Sequence, residues 1–144
     1  MQRTVEKLIE AKGSDVWTVT PDASVYEALE IMSDKNVGAL VVLDGDELVG
    51  ILSERDYARK VILLSRGSRE TAVSEIMSEH PITVAPSTTT AECMRLMTEH
   101  RFRHLPVMHG TRVIGVISIG DVVKAVISEQ KFIIEQLEHY IAGS

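Results

Sequence analysis

The chain has 144 residues, 44% apolar and 25% charged, with a formal net charge of −6 and a single cysteine, Cys93. That is enough apolar material for a core without metal or cross-links, and one cysteine cannot form an intrachain disulfide or a thiolate cluster. The acidic balance argues against a nucleic-acid binder driven by phosphate neutralisation, but not against a small anion held by a few local donors.

The N-terminal stretch Met1-Gln2-Arg3 leads into a mixed polar helical pattern. It lacks the apolar run of a signal peptide or a membrane span, so a reducing, cytoplasmic setting without membrane contact is expected. Residues 1–16 read as an N-terminal helix in which 5–9 carry the apolar positions and Gly13 the stop. Residues 17–19 are extended and end at Pro21. Ser24 with Glu27 has capping-box spacing, and Val25, Ala28, Leu29 and Met32 then share one helix face. A strand over 39–43, an Asp44-Gly45 turn and a strand over 48–52 form a hairpin that runs into a helix over 54–64.

The polar stretch 65–70 reads as a linker, and 73–77 repeats the short pattern of 5–9. From residue 82 the first pattern is then written again. A shift of 65 residues lays 17–62 on 82–127 without a gap, with thirteen of 46 positions identical. The identities include Pro21/Pro86, Gly45/Gly110, Gly50/Gly115, Ser53/Ser118 and Asp56/Asp121. The second copy reads as an extended segment over 82–84, a helix with Ala91, Met94, Leu96 and Met97 on its face and Cys93 near its edge, strands over 104–108 and 113–117, and a helix from 120. Beyond 129 an amphipathic C-terminal helix offers Phe132, Ile133, Leu137 and Tyr140 for packing. The division is 1–16 N-terminal helix, 17–65 first repeat, 66–81 linker, 82–128 second repeat and 129–144 C-terminal helix. The fold class is α/β (α+β), with two βαββα units. Near-continuous apolar strands imply sheets covered on both faces.

Each repeat places a glycine, two apolar residues, serine, two variable residues and aspartate at a strand-to-helix junction: Gly50 to Asp56 and Gly115 to Asp121. Such a junction exposes backbone N–H groups at the positive end of a helix, which suits phosphate. A carboxylate one turn in can accept hydrogen bonds from both ribose hydroxyls. The same Ser-x-x-Asp spacing also serves as a helix cap, and the two roles can coexist.

These residues resemble a tandem pair of CBS domains, named after cystathionine β-synthase, over almost the whole chain. The resemblance implies two units packed about a pseudo-twofold axis, with adenosine-containing ligands in the clefts between them. It implies a stand-alone, non-catalytic regulator, sensing energy or redox state through AMP, NAD(H) or a related adenine nucleotide. It also implies a homodimer acting on an unidentified regulated protein. The alternative is an interaction or scaffold module with decayed sites. Tyr57, Val61, Val122 and Val126, on the helices after Ser53 and Ser118, are expected to be able to face a partner copy as well as a core.

Carried over by position, the resemblance puts Ser53, Arg55 and Asp56 in one cleft with Phe102, Arg103 and His104, and with Thr83 near the base. It puts Ser118 and Asp121 in the other with Val37, Gly38 and Ala39, and with Thr18 near the base. Arg103, His104 and Arg55 favour phosphate in the first cleft. The second has small apolar residues there and Gly120 in place of Arg55, so the Asp56 cleft is expected to be the main site.

No other constellation carries chemistry. His80, His100, His104, His109 and His139 read as structural, with no metal expected. Met32, Met77, Met94, Met97 and Met108 read as core fillers and Cys93 as a buried thiol. No catalytic residues are identified, and there is neither a phosphate-binding glycine loop of nucleotide hydrolases nor a nucleophile elbow.

Overall fold

The computed structural model describes residues 3–143. Met1, Gln2 and Ser144, at the ends of the segments read as terminal helices, lie outside the described residues. The chain divides into two units that do not coincide with its halves. One comprises Asp15–Ile82 with Gly110–Ile114; the other comprises residues 3–14, Thr83–His109 and 115–143.

The unit of the first repeat holds a four-stranded sheet in the order β1-β2-β3-β4. The strands are β1 (Thr18–Val19), β2 (Ala39–Asp44), β3 (Glu47–Ser53) and β4 (Ser78–Glu79). β1 runs parallel to β2, and β2 antiparallel to β3, with Ala39 opposite Ser53 and Val42 opposite Gly50. Gly45 turns the hairpin at φ +63°, a left-handed conformation that glycine adopts without strain. Ala39, Leu40, Val41 and Val42 are buried in succession, so both faces of β2 are covered. Helix α2 (Val25–Lys35) starts where Ser24 Oγ accepts the Glu27 N–H at 3.1 Å and ends at Asn36, in the left-handed region. Its Val25, Ala28 and Met32 pack on Leu40, Val42 and Leu52, together with Val61, Val73 and Ile76.

The second repeat reuses these devices. Helix α5 (Thr90–His100) is capped by Thr89 Oγ1, which accepts the Glu92 N–H at 3.2 Å, and ends at left-handed Arg101. Strands β5 (His104–His109) and β6 (Arg112–Ser118) form a two-stranded sheet turned at Gly110, and Val84 bridges in parallel to Val107. Buried Thr90, Cys93 and Met97 are the 65-residue counterparts of Val25, Ala28 and Met32. The expected face is corrected accordingly. Met94 is exposed because it lies about 100° around the helix from Cys93, Ala91 is exposed about 100° from Thr90, and Leu96 is half-buried.

Each repeat is closed by the helix that precedes the other repeat. Helix α1 (Val5–Lys12) belongs with the second: the Val5 and Glu6 N–H groups donate to the Thr88 and Pro86 carbonyls at 2.8 and 2.9 Å, and Thr4 bridges to Thr89. Helix α4 (Val73–Ile76) belongs with the first: the Val73 and Ser74 N–H groups donate to the Ala23 and Pro21 carbonyls at 2.8 and 2.9 Å, and Ala72 bridges to Ser24. Pro21/Pro86 and Ala23/Thr88 are equivalent under the 65-residue shift. The shared glycines mark the close approaches. A Cβ at Gly50 would stand 2.6 Å from Met77 Sδ and 2.9 Å from the Ser78 carbonyl, and one at Gly115 would stand 3.0 Å from Ile9 Cδ1.

Two helices differ from expectation. The segment read as one helix over 54–64 is α3 (Glu54–Tyr57) followed by a π-helical turn, Ala58–Ile62, in which the Leu63 N–H reaches back to the Ala58 carbonyl. The wider turn keeps Val61 buried while Lys60 Nζ reaches the Ile76 carbonyl at 2.9 Å. Helix α6 (Ile119–Gly143) buries only Val122 and Ala125. Phe132, Ile133, Leu137 and Tyr140 are 48–76% exposed, because the helix outruns the elements that could cover them. Of the residues expected to be able to face a partner, Val61 and Val122 lie in the core and Tyr57 and Val126 are half-buried.

Candidate functional site

The two strand-to-helix junctions are built alike within their own units. Ser53 leaves β3 in extended conformation and caps α3: its Oγ accepts the Asp56 N–H at 3.2 Å, while its N–H donates to Asp56 Oδ2 at 3.0 Å. The Ser53 hydroxyl also donates to Oδ2 at 3.0 Å. Asp56 Oδ1 lies 3.5 Å from Lys60 Nζ, and the Asp56 side chain is 14% exposed. Beside this junction the Glu54 N–H donates to the Gly38 carbonyl at 3.0 Å, so Val37, Gly38 and Ala39 border the start of α3.

At the second junction Ser118 Oγ accepts the Asp121 N–H at 3.2 Å and the Ser118 N–H donates to Asp121 Oδ2 at 2.8 Å. Here the same oxygen also takes an ion pair: Lys12 Nζ from α1 is 2.7 Å away and donates to the Val116 carbonyl at 2.8 Å. Burial pushes the Asp121 carboxyl up, but the Lys12 hydrogen bond, the Ser118 N–H and the lysine charge together hold it below its ordinary value. The Ile119 N–H donates to the Arg103 carbonyl at 2.8 Å, which sets Phe102, Arg103 and His104 beside this junction as Val37 to Ala39 sit beside the other.

Both aspartates therefore cap helices, so the capping role is present at each junction. What differs is the second oxygen and the local cation. Lys60 lies one helical turn from Asp56, an i,i+4 spacing that could have been read from sequence. Lys12 is 109 residues from Asp121, and no local pattern announces it.

The remaining expected residues are distributed as follows. Arg55 is half-buried on α3, and Arg103 is exposed, with Phe102 stacked on His100 at 6.5 Å between ring centroids. His104 opens β5, half-buried, and Thr83 is exposed next to the Val84 bridge. Thr18, opposite Val41, lines a surface hollow of about 440 Å³ with Leu43, Asp46 and Arg112, toward the hairpin end of the sheet rather than the Ser53 end. Asp56, Val37, Gly38, Ala39 and Thr18 belong to one unit. Asp121, Phe102, Arg103, His104 and Thr83 belong to the other. Cys93 is fully buried, and burial, with Glu92 nearby, pushes its thiol up to about 11, so it stays protonated.

Comparison with known proteins agrees with this architecture. The sequence model of the CBS domain matches residues 10–63 and 73–128. The Arabidopsis thaliana protein CBSX3, mitochondrial, is 46% identical over 138 residues, covering 92% of this chain. The chain spans 66% of that relative's length and 22% of the length of another Arabidopsis relative, CBSCBSPB1, to which it is 35% identical. A solved structure of a protein with CBS domains from Burkholderia ambifaria, described as a candidate signal-transduction protein, superposes with a TM-score of 0.84 at 52% identity, covering 88% of this chain and 96% of that one. A hexameric CBS-CP12 protein from bloom-forming cyanobacteria has a TM-score of 0.78 at 27% identity, covering 85% and 71%. Two gapless repeats, two family matches and the shared Gly-to-Asp junctions make this chain a member of the CBS-domain family, carrying a tandem pair of CBS repeats.

Proposed function

We propose that the chain is a regulatory CBS pair that binds an adenine nucleotide, AMP or NAD(H), without turning it over. The observation that carries the reading is the inequality of the two carboxylates. Asp56 commits Oδ2 to its cap and holds Oδ1 beside Lys60, an arrangement suited to accepting ribose hydroxyls next to a cation. Asp121 has its capping oxygen clamped by Lys12. The inequality favours the Asp56 junction, where Arg55 of the same helix adds a cation that Gly120 replaces in the second repeat. Self-association as a homodimer belongs to the same reading and is supported by exposed Ile62, which ends the π turn, Leu63 and Leu64, and by exposed Ile119, Val123 and Ile127 on α6.

A ligand regulates only if it binds one state of the protein better than another. Titration calorimetry of AMP, ADP, ATP, NAD+ and NADH against the full chain, with chromatography of the recovered nucleotides, tests the proposal. Saturable binding with nucleotide recovered intact is expected. Formation of product would make the chain an enzyme, and no binding by any of the five would favour an interaction module. A cytoplasmic setting belongs to the same proposal, and the relative CBSX3 is mitochondrial. Among the described residues no helix is long and apolar enough to cross a membrane.

A further inference from the structure

The second half of α6 is dressed for a contact that its own unit does not supply. Every residue from 130 to 143 is exposed, including Phe132 (51%), Ile134 (53%) and Leu137 (57%). A solvated helix ordinarily keeps its apolar residues on the buried face. Here Val123, Ile127, Gln130, Ile134, Leu137 and Ile141 alternate at spacings of four and three, which is the seam of a helix that packs along another helix. One flank of the seam, Ile133 and Tyr140, is apolar. The other flank carries Lys131 and Glu138, seven residues apart and opposite in charge.

We infer that this seam is covered by the same seam of a second copy, as an antiparallel helix pair. The charges select both the occupant and the direction. In an antiparallel pair each flank meets its own counterpart. Setting Ile134 against the partner's Leu137 brings Lys131 beside the partner's Glu138, and twofold symmetry makes the contact twice. In a parallel pair the Lys131/Glu138 flank would face Ile133 and Tyr140 instead. The flanking surface fits the same register. Arg3 and Lys7 on one wall and Phe132 and Ile133 on the other border a groove of about 590 Å³. Residues near 138–143 of the second copy then lie against 128–133. The C-terminal end of its helix, negative by dipole and by Glu138, meets a groove whose rim carries Arg3, Lys7, which also pairs with Glu10 at 3.6 Å, and Glu129, whose carboxylate is held by the Arg3 N–H and the Thr90 hydroxyl. The inference deepens the homodimer part of the proposed function. It rests on self-association and not on nucleotide binding.

Sedimentation equilibrium on the full chain without nucleotide tests it. Leu137→Glu is expected to weaken self-association by roughly thirtyfold or more and to halve the particle mass relative to the unaltered chain. Helix content should hold, since Leu137 is exposed within its own chain, and any fall in melting temperature should shrink as the protein is diluted. Lys131→Glu should weaken assembly, and adding Glu138→Lys should restore it. An unaltered chain that is monomeric at every concentration overturns both the inference and the homodimer reading. A mass indifferent to Leu137→Glu keeps the homodimer and overturns this interface. Failure of the double charge reversal to restore what the single one lost overturns the antiparallel register.

Discussion

Lys12 Nζ sits 2.7 Å from Asp121 Oδ2 and 2.8 Å from the Val116 carbonyl, so one side chain of α1 pins the end of β6 and the first turn of α6. Asp56, the equivalent residue of the first repeat, meets Lys60 of its own helix at a looser 3.5 Å.

Lys12→Met should cost about 0.5–1 kcal/mol near neutral pH, because the pair is partly exposed. The sign with pH follows from the depressed Asp121 carboxyl. Its contribution is present above the ordinary aspartate range and is lost as pH falls through the lower folded value. The gap in stability between the two proteins should therefore be full at pH 7 and close under acid. Urea melts at several pH values measure it, and a gap that widens under acid would refute the assignment.

Asp56→Ala should weaken nucleotide binding more than Asp121→Ala. Both lose a cap and should lose about 1 kcal/mol of stability, so the comparison isolates the ligand. Asp56→Asn keeps the size and part of the cap, but replaces an acceptor with a donor. It should hurt AMP and adenosine alike. Calorimetry in one buffer checks this, and equal losses from Asp56→Ala and Asp121→Ala would remove the inequality argued above.

Arg103→Ala should weaken AMP by roughly tenfold to a hundredfold, the worth of a lost charge-assisted contact, while adenosine binding barely moves. Arg103 is exposed, so the melting temperature should be nearly unchanged. A sharp drop in melting temperature with AMP binding intact would make the residue structural, and His104→Ala would then be the next variant to titrate.

Gly50→Ala should destabilise more than Gly115→Ala. At Gly50 the new methyl would meet the Ser78 backbone at 2.9 Å as well as Met77 Sδ, whereas at Gly115 it would meet the flexible end of Ile9. Overpacking against backbone costs about 1–3 kcal/mol. Denaturant melts of the two variants check the order.

The elements that carried turn and cap chemistry were legible in the sequence. Gly45 and Gly110 turn the hairpins, Ser24 and Thr89 cap matching helices, and the junctions at Ser53 and Ser118 fold alike, because local spacing determines each. The repeat shift was a better guide to burial than apolar character alone. It carries buried Val25, Ala28 and Met32 onto buried Thr90, Cys93 and Met97, a threonine among them, and half-buried Leu29 onto exposed Met94. The π turn after Tyr57 has no residue signature, and Lys12 meets Asp121 only through tertiary packing. The far half of α6 misled for a physical reason. An apolar stripe reads the same whether it is to be buried by its own chain or by another.

The exchange of entry helices makes the chain indivisible at its midpoint. A cut in the segment between Ser65 and Glu70 would leave the first fragment with α1, whose hydrogen-bond acceptors Pro86 and Thr88 are on the second. It would leave the second fragment with α4, which bonds to Pro21 and Ala23 on the first. Each fragment would carry the other's closing piece and lack its own. Neither should hold a cooperative fold alone, yet the two mixed should reassemble, as two hands clasped do and two halves of a snapped rod do not. A duplication of self-sufficient parts tolerates the loss of one copy, whereas here each copy is closed by a helix written beside the other.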